Sequence, residues 1–499
     1  MAITASRLYD YIKCPHKVWR DIYGPQEEKI QETNPFVELL WQKGLQHEER
    51  IVKKLGDFAD LRAGSIDERY QKTIEAMRAG TALIYQGVLK HQNLLGIPDI
   101  LRKIEAGSYM PIDIKSGMAL EGADEDSGEE GKPKKHYAVQ LCLYNELLRK
   151  HAFASHDYGK ILDITGEEIE YDLIAPMGVR NKTTWRELYE EIKGKGALLI
   201  SDQDVNKPAL SGICKLCAWY SSCKNWCEEK RDLSNIFYLG RSVRDTINKD
   251  LSIESVDDFL KLDIEEVMKE KKKNKQYLRG VGEILLSKFM NRANILYKTR
   301  KPVAYEPIGF PKARYELFFD IEDDPTQEFV YLHGVYARTG GSEKYVYFLA
   351  KEVSEEAEKE AWRNFWVYIC SLPEDDYSVY YYSHHEKTTY KKLQKRYPDV
   401  IAPEKVEEFF DNPNVIDLYS IVQGKSDWPV GSYSLKTLAS YLGFEWRDKT
   451  PSGALSIQWF NDYLDKKDDS LMQRILEYNE DDCKATMILK DAIEKLRYS

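Results

Sequence analysis

The spacing of apolar residues changes several times along the chain and divides it into segments of different predicted structure. From Ser6 to about Leu55, aromatic and aliphatic residues recur every three or four positions, which predicts helices. Three short aliphatic runs predict strands, at 81–89, 94–104 and 109–117. The helical period returns at 136–151 and KILDITGEEIEYDLI predicts a hairpin, so a first α/β domain is expected over 1–235.

The rest of the chain divides into a short basic segment and a second α/β segment. Two short helical stretches occupy 236–304. Four strand-like runs follow, RYELFFDIED, EFVYLHGVYAR, KYVYFLA and SVYYYS, and strands then alternate with helices. This pattern predicts a mixed sheet over 305–499, and the 499 residues are expected to form a multidomain α/β protein.

Composition and charge narrow the class of protein. With 42 % hydrophobic and 12 % aromatic residues, the chain can fill several cores and is not expected to be disordered. No apolar run is long enough to span a membrane and the first residues lack a signal-peptide core, so we expect a cytoplasmic protein without a membrane partner. The net charge of −11 is unevenly spread, because 269–314 holds 13 basic and 3 acidic residues. Conversely, 120–131 holds six acids and no base, which predicts a solvated loop.

Carboxylates and a lysine follow one another on two predicted strands of the first segment. Asp99 is expected to close one strand, and Asp113 and Lys115 flank Ile114 on the next. Because side chains alternate along a strand, Asp113 and Lys115 share one face. Carboxylates can hold Mg²⁺ or Mn²⁺, and the neighbouring ammonium can orient or deprotonate a water for attack on a phosphate. Aspartate and lysine are common on surface strands, so these residues alone do not indicate a catalytic site. The prediction rests on the order of the motifs along the chain.

The order of these motifs points to a nuclease. Gln140 and Tyr144 lie one turn apart on the helix that follows, so they face the same side. Pro98-Asp99, Asp113-Ile114-Lys115 and Gln140…Tyr144 together resemble the RecB-like branch of the PD-(D/E)XK nucleases, which implies a restriction-endonuclease-like fold. The residues that this resemblance implies are Lys115, Gln140 and Tyr144 for catalysis, with His47, Asp99 and Asp113 as metal ligands. A lone helical histidine is more often structural, but the branch places its metal-binding histidine on an early helix.

Cysteine spacing predicts a metal centre in the same segment. Cys214, Cys217, Cys223 and Cys227 lie within 14 residues, while Cys14 lies far away. Clustered thiols in a cytosolic chain indicate metal ligands, and the fourth ligand is either Cys227 or Cys14. A zinc site is the minority interpretation, because its usual second C-x2-C pair is missing. The spacing resembles the iron–sulfur subset of RecB-like nucleases, which includes AddB-type helicase–nucleases and the CRISPR adaptation nuclease Cas-four. This implies a [4Fe–4S] cluster on Cys14, Cys214, Cys217 and Cys223.

A second group of carboxylates lies in the last segment. Asp320 and Glu322 share one face of an apolar strand, where two like charges are costly unless a cation lies between them. Tyr478 and Asp482 lie one helical turn apart. These motifs resemble the tyrosine form of the DEDD 3′–5′ exonucleases, which have an RNase H-like fold and bind two metal ions. The resemblance implies Asp320, Glu322 and Asp482 as ligands, with Tyr478 orienting the attacking water.

The middle motif departs from that family, which usually has aspartate there. Glu386 takes this position, after a strand and before a helix, and is the predicted fourth metal ligand. Asp417 is a substitute candidate that we expect to be a structural partner, and Asp481 is expected to face solvent. The alternative is an RNase H-like lobe that only binds nucleic acid.

The basic segment contains a glycine-rich turn between its two helical stretches. Leu278-Arg279-Gly280-Val281-Gly282 resembles a helix–hairpin–helix, whose backbone N–H groups approach phosphates. The predicted nucleic-acid-binding residues are Lys271, Lys272, Lys273, Lys275, Arg279, Gly280, Gly282, Lys288 and Arg292. The alternative is a solvated run of charge on a helix.

These resemblances together imply a metal-dependent nuclease. The expected substrate is DNA, as single strands or ends, and RNA is not excluded. Two other classes stay open: a non-catalytic nucleic-acid-binding scaffold, and an interaction subunit of a helicase, repair or CRISPR-adaptation complex.

Overall fold

The computed structural model describes most of the chain, namely residues 1–30, 35–105, 107–122, 131–154, 156–178, 181–204, 206–373 and 376–498. Most of the predicted acidic loop at 120–131 lies outside the described residues. No helix in the described ranges is long and apolar enough to cross a membrane. The chain forms two compact units, the first from Met1–Thr33, Val37–Pro208 and Gly212–Cys223, the second from Asn34–Phe36, Ala209–Ser211 and Lys224–Ser499.

The first unit contains strands and helices in alternation. Its strands are β1 (Ile3–Thr4), β2 (Ala59–Asp60), β3 (Leu83–Tyr85), β4 (Leu89–His91), β5 (Leu94–Gly96), β6 (Ile100–Glu105), β7 (Ser108–Ile114), β8 (Leu120–Glu121), β9 (Lys132–Pro133), β10 (Tyr158–Leu162) and β11 (Glu168–Asp172). Its helices are α1 (Ala5–Lys13), α2 (Pro15–Tyr23), α3 (Pro35–Val52), α4 (Ile66–Ala79), α5 (Lys135–Lys150) and α6 (Trp185–Ile200), with 3-10 turns at Gln26–Glu28 and Gly212–Leu216. Helix α7 (Tyr220–Glu229) crosses the boundary between Cys223 and Lys224.

The main sheet of the first unit has the order β11-β10-β7-β6-β3-β2. Strands β6 and β7 pair antiparallel with Ile100 opposite Ile112, whereas β10 runs parallel to β7. The predicted hairpin is confirmed as the antiparallel pair β10 and β11. Helix α5 is buried along most of its length and packs against this sheet, as its largely apolar sequence requires.

One strand boundary differs from the prediction. Asp99 does not close a strand, because β5 ends at Gly96 and Asp99 directly precedes β6. Pro98 lies in this gap and has no N–H to offer to a ladder, which explains the interruption. The β6–β7 register still brings Asp99 beside Asp113, as the next pair beyond Ile100 and Ile112.

The second unit begins with helices and continues with a mixed sheet. Its helices are α8 (Gly240–Leu251), α9 (Val256–Phe259), α10 (Ile264–Lys273), α11 (Glu283–Asn294), α12 (Glu355–Cys370), α13 (His385–Arg396), α14 (Pro403–Asp411), α15 (Leu418–Lys425), α16 (Leu435–Tyr441), α17 (Gly453–Lys466) and α18 (Asp469–Glu494), with a 3-10 turn at Leu233–Asn235 and a π-helical turn at Ile295–Thr299. Its strands are β12 (Val303–Ala304), β13 (Tyr315–Asp324), β14 (Phe329–Thr339), β15 (Ser342–Leu349), β16 (Tyr377–Tyr381), β17 (Val415–Asp417) and β18 (Ser426–Asp427).

The predicted mixed sheet is confirmed, with the order β15-β14-β13-β16-β17. Strand β13 is antiparallel to β14 and parallel to β16. Alternate residues of β13 enter two different cores: Leu317 and Phe319 pack with Trp362 of α12, while Phe318 packs with Cys483 of α18. Strand alternation therefore directs Asp320 and Glu322 to the α18 side.

The helical segment that precedes the sheet is part of the same compact unit as the sheet, and the boundary near 305 stays a prediction. Its own core includes Phe259 and Phe289. Strand β12 pairs with β18, with Val303 opposite Asp427. This strand pair therefore joins the end of the helical segment to the part of the chain that contains the sheet.

Candidate active sites

Three carboxylates meet where β13 faces α18. One ligand oxygen each from Asp320, Glu322 and Asp482 lies within 4.8 Å of the other two, and no other group of three or more such ligands this close occurs among the described residues. Glu322 and Asp482 are only 5 % and 6 % exposed. The sequence predicted these three ligands, and the fold brings them together.

The electrostatics of this group favour a bound cation. Burial raises the pKa of Glu322 to about 8, and the charge of Asp482 acts in the same direction. Burial and the charges of Asp482 and Glu322 also raise the pKa of Asp320 well above its usual range. Like charges held this close in a buried place need a compensating charge, and carboxylate oxygens are the ligands that Mg²⁺ and Mn²⁺ prefer. The residues present therefore fit a divalent metal ion.

Asn479 holds the first two carboxylates and was missed by the sequence analysis. Its Nδ2 donates to Asp320 Oδ2 at 2.7 Å and to Glu322 Oε1 at 3.5 Å. Its Oδ1 accepts a hydrogen bond from the Tyr345 hydroxyl at 2.7 Å. Gly334 on β14 makes room for it, because a Cβ at this position would lie 1.6 Å from Asn479 Oδ1. No spacing rule in the sequence signals this contact between β14 and α18.

The predicted water-orienting tyrosine lies at the edge of the carboxylate group. The Tyr478 hydroxyl accepts a hydrogen bond from Lys436 Nζ at 2.6 Å, and the same ammonium lies 3.7 Å from Asp482 Oδ2. Burial and the charge of Asp482 raise the pKa of Tyr478, so its hydroxyl keeps its proton. Trp446 Nε1 donates to Asp482 Oδ1 at 2.7 Å. Lys436 and Trp446 were also missed by the sequence analysis.

Glu386 is near these carboxylates but outside the closest group. It lies in the first turn of α13, is 3 % exposed, and accepts a hydrogen bond from Ser383 Oγ at 3.2 Å. Burial raises the pKa of Glu386 to about 7, and its charge in turn contributes to the raised pKa of Asp320. It is thus close enough to act on Asp320 electrostatically.

Two other acids of this unit have structural roles. Asp417 caps α15, accepting hydrogen bonds from the Tyr419 N–H at 2.8 Å and from Ser420 Oγ at 2.9 Å, as a structural partner would. The expectation that Asp481 faces solvent is wrong. Asp481 is 4 % exposed and pairs with Arg447, whose Nε donates to Oδ1 at 2.9 Å. The turn of α18 that directs Asp482 inward places Asp481 against the loop that carries Arg447.

Comparison with known proteins agrees with this geometry. Residues 317–494 match the family model RNase_H_2, which belongs to the RNase H superfamily. No curated protein matches the chain. The second unit therefore contains an RNase H-like domain, a fold whose members are generally metal-dependent hydrolytic nucleases that act on nucleic acids.

The first unit places the predicted carboxylates and lysine side by side. Lys115 Nζ lies 2.9 Å from Asp113 Oδ2, and Asp99 Oδ2 accepts a hydrogen bond from the Ile114 N–H at 2.7 Å. Burial and the charge of Asp113 raise the pKa of Asp99. Although burial acts in the opposite direction, the charges of Asp113 and Asp99 raise the pKa of Lys115, which keeps it an ammonium.

Of the two predicted residues on helix α5, Tyr144 lies close to the same carboxylates. Tyr144 is 3 % exposed, and the charges of Asp113 and Asp99 add to the burial that raises its pKa. Gly96 permits its position, since a Cβ there would lie 2.7 Å from Tyr144 Cδ1. Gln140 is 7 % exposed, and its Oε1 is buried without a hydrogen-bond partner.

The predicted histidine ligand, His47, lies on the early helix α3. His47 is 6 % exposed, and its Nδ1 lies 2.9 Å from Arg50 Nη2. Burial and the charge of Arg50 lower the pKa of His47, so it is a neutral imidazole, the form that binds metals. Its place as a metal ligand stays a prediction.

Gln86, which was not predicted, connects Asp99 with Glu48. Gln86 Nε2 donates to Asp99 Oδ1 at 2.7 Å and to Glu48 Oε1 at 3.2 Å. Gln86 has a φ of +54°, an unusual backbone conformation for a residue other than glycine. Glu48 directly follows the predicted ligand His47, and this adjacency is the one feature of the sequence that distinguishes Glu48.

The four predicted cluster cysteines all belong to the first unit. Cys14 lies between α1 and α2, Cys214 lies in a 3-10 turn, and Cys223 lies in α7. The Cys217 N–H donates to the Cys214 carbonyl at 2.9 Å. Burial raises the pKa of Cys223 to about 11, and the other three thiols act in the same direction, so all four are electrostatic neighbours. Cys227 belongs to the second unit, where Ser234 Oγ donates to its Sγ at 3.8 Å.

The basic turn forms between α10 and α11, but one predicted binding residue is wrong. Gly280 has a φ of +81°, and Gly282 begins α11 as its N-cap. Lys271 Nζ donates to the Leu278 carbonyl at 2.5 Å and so stabilises the turn. Arg292 is 3 % exposed and donates from Nε to Asp427 Oδ1 at 2.7 Å, so it cannot contact nucleic acid.

The other predicted residues of this segment occupy its surface. Lys273 pairs with Glu270 at 2.6 Å. The exposed positions are Lys272, Lys273, Lys275, Arg279, Gly280 and Gly282, and Lys288 is half-buried.

Proposed function

We propose that this protein is a divalent-metal-dependent nuclease that hydrolyses phosphodiester bonds of DNA, acting on single strands or ends. The observation that carries the proposal is the close, largely buried group of Asp320, Glu322 and Asp482 in an RNase H-like domain. Such a group is costly without a cation, and a cation held by carboxylates is what phosphodiester hydrolysis in this fold requires.

The residues around this group have distinct tasks in the proposed reaction. A Mg²⁺ or Mn²⁺ ion held by Asp320, Glu322 and Asp482 supplies Lewis-acid polarisation of the phosphate. Tyr478 keeps its proton and orients the attacking water through its hydroxyl. Lys436 holds that hydroxyl at 2.6 Å and adds positive charge beside the phosphate. Glu386 completes the acidic set as a further ligand.

We assign a second nuclease site to the first unit. Support comes from Asp99 and Asp113 side by side, Lys115 at 2.9 Å, and the antiparallel β6–β7 pair with β10 parallel to β7. Asp99, Asp113 and His47 are the proposed ligands of Mg²⁺ or Mn²⁺. Because Lys115 is an ammonium, its proposed task is to orient the water and neutralise charge on the phosphate, while Gln140 and Tyr144 position this group.

A [4Fe–4S] cluster is proposed for Cys14, Cys214, Cys217 and Cys223. The neighbouring thiols provide four soft donors, and the raised pKa values of Cys217 and Cys223 mean that cluster binding at these two thiols would release protons. Ligands this far apart in sequence would restrain the unfolded chain, so the cluster's proposed role is structural. A cytoplasmic, reducing setting suits such thiols. Iron and sulfide analysis of anaerobically purified protein tests the assignment, and stoichiometric zinc in colourless protein would overturn it.

The turn between α10 and α11 is proposed to bind the phosphate backbone. Its exposed Arg279 and the N-cap position of Gly282 present positive charge and free N–H groups. This contact is independent of base sequence, which suits an enzyme that degrades strands.

The nuclease proposal is tested by cleavage of end-labelled single-stranded DNA with Mn²⁺, Mg²⁺ or a chelator. We expect metal-dependent cleavage by the parent protein. Lys115→Ala should lose one component of this activity and Asp320→Ala the other, so the double variant should not cleave DNA. Glu360→Ala, an exposed position on α12, is the matched control. Cleavage retained by the double variant would overturn the assignment of both sites.

One observation favours a second function for the RNase H-like domain. Glu386 lies outside the group within 4.8 Å, so the domain has fewer closely placed ligands than a two-metal site uses. A non-catalytic strand-binding domain, or an interaction subunit of a helicase or repair complex, would shift labelled DNA without shortening it. Cleavage that vanishes in Lys115→Ala alone would favour this function.

A further inference from the structure

We infer that Asn479 and Trp446 are positioning residues that set the geometry of the metal site and thereby its affinity for a divalent ion. The inference rests on the proposed function, because it concerns the same carboxylates. The inference goes beyond the proposed function because it assigns a task to two residues that no sequence motif identifies.

The Asn479 amide has a fixed orientation. Tyr345 donates its hydroxyl proton to Oδ1 at 2.7 Å, which directs the Nδ2 donors towards Asp320 and Glu322. The Asn479 side chain is fully buried. Its Oδ1 lies in the space that a Cβ at Gly334 would fill, so the amide is tightly packed against β14. A flipped amide would direct an oxygen at two carboxylates, which is unfavourable.

Trp446 fixes the third carboxylate, that of Asp482, as Asn479 fixes the other two. Its indole N–H donates to Asp482 Oδ1 at 2.7 Å, from the loop before α17. Each of the three carboxylates therefore has one oxygen bonded to a neutral donor: Asp320 Oδ2, Glu322 Oε1 and Asp482 Oδ1.

The consequence is a defined set of remaining oxygens. One oxygen of each carboxylate is bonded to Asn479 or Trp446, so the inference assigns the other oxygen of each to the cation. Neutral donors fix the rotamers without adding positive charge against the cation; Lys436, 3.7 Å from Asp482 Oδ2, is the nearby ammonium that the site already contains. Loss of partners of this kind typically weakens metal binding about 10- to 100-fold.

The test measures Mn²⁺ affinity of the full chain by electron paramagnetic resonance of free Mn²⁺, in an Asp113→Asn background that removes the other proposed site. Asn479→Leu and Trp446→Phe should each weaken binding about 10- to 100-fold. Tyr345→Phe should weaken it less, because it frees only the orientation of the amide. Trp362→Phe is the matched control, since this buried indole N–H has no partner and lies in the opposite core.

The outcomes separate the two proposals. If Asp482→Asn binds Mn²⁺ as tightly as its parent, the metal site itself is refuted. If Asp482→Asn abolishes binding while Asn479→Leu and Trp446→Phe keep the parent affinity, the positioning role is overturned. Circular dichroism accompanies each titration. Trp446→Phe retains an aromatic side chain, so the inference stays testable even if Asn479→Leu has a folding defect.

Discussion

Replacing Glu322 with glutamine should stabilise the metal-free protein at alkaline pH. Burial and Asp482 raise the pKa of Glu322 to about 8, whereas an ordinary glutamate titrates near 4.3. Since each pKa unit corresponds to 1.36 kcal/mol, the ionised side chain lowers the free energy of unfolding by roughly 4–5 kcal/mol. Glu322→Gln removes this charge at nearly constant volume.

The sign of the pH dependence follows from the direction of the shift. A pKa raised in the folded state means that the folded protein binds the extra proton, so stability is fully present below about pH 4 and falls as pH rises towards 8. The gain from Glu322→Gln should therefore be near zero at pH 4.5 and largest above pH 8. Saturating Mn²⁺ should reverse the order, because only the wild type keeps all three carboxylates for the ion.

The assay is urea unfolding followed by tryptophan fluorescence, at several pH values in EDTA and again in Mn²⁺. Glu360→Gln, which removes an exposed charge from α12, is the control and should change stability little at any pH. If Glu322→Gln were equally destabilising at pH 5 and pH 8.5 in EDTA, the argument from buried like charges would be refuted.

Three further predictions test other parts of the structure. Arg292→Met leaves buried Asp427 without its ion pair, so urea unfolding should show a loss of about 3–5 kcal/mol; an unchanged midpoint would contradict the buried pair. Gly96→Ala forces a Cβ to 2.7 Å from Tyr144 Cδ1 and should cost about 1–3 kcal/mol in the same assay, whereas tolerance would mean that the helix can shift. Arg279→Gln should weaken DNA binding and lower the salt dependence by about one unit in a titration at several salt concentrations, and an unchanged slope would remove Arg279 from the interface.

Sequence patterns predicted the elements whose environment is uniform along their length. Strands β13 and β14 contain long runs of apolar and aromatic residues, so their existence could be predicted. Asp320 and Glu322 share a face by strand geometry alone, but pairing them with Asp482 relied on a family resemblance. Asp99 was placed at the wrong end of a strand because Pro98 interrupts the apolar run.

Other features depend on contacts between distant residues, which no local pattern reveals. Arg292 looked like one more surface charge in a basic segment, yet its partner lies 135 residues away in sequence. Asn479 has no periodic or charge signal, and its task exists only because Gly334 lets α18 approach β14. Asp481 was assigned to the surface although the opposite flank of its helix is also covered.

The buried pair of Arg292 with Asp427 determines where the polypeptide can be divided. A fragment starting at residue 305 would lose the guanidinium, and with it β12, the partner strand of β18. Inside the excised piece Asp427 would keep its hydrogen bonds from Tyr305 and Tyr433 but lose its counter-charge, and insolubility during expression is the expected outcome. Anyone preparing the RNase H-like portion alone should retain the preceding helices.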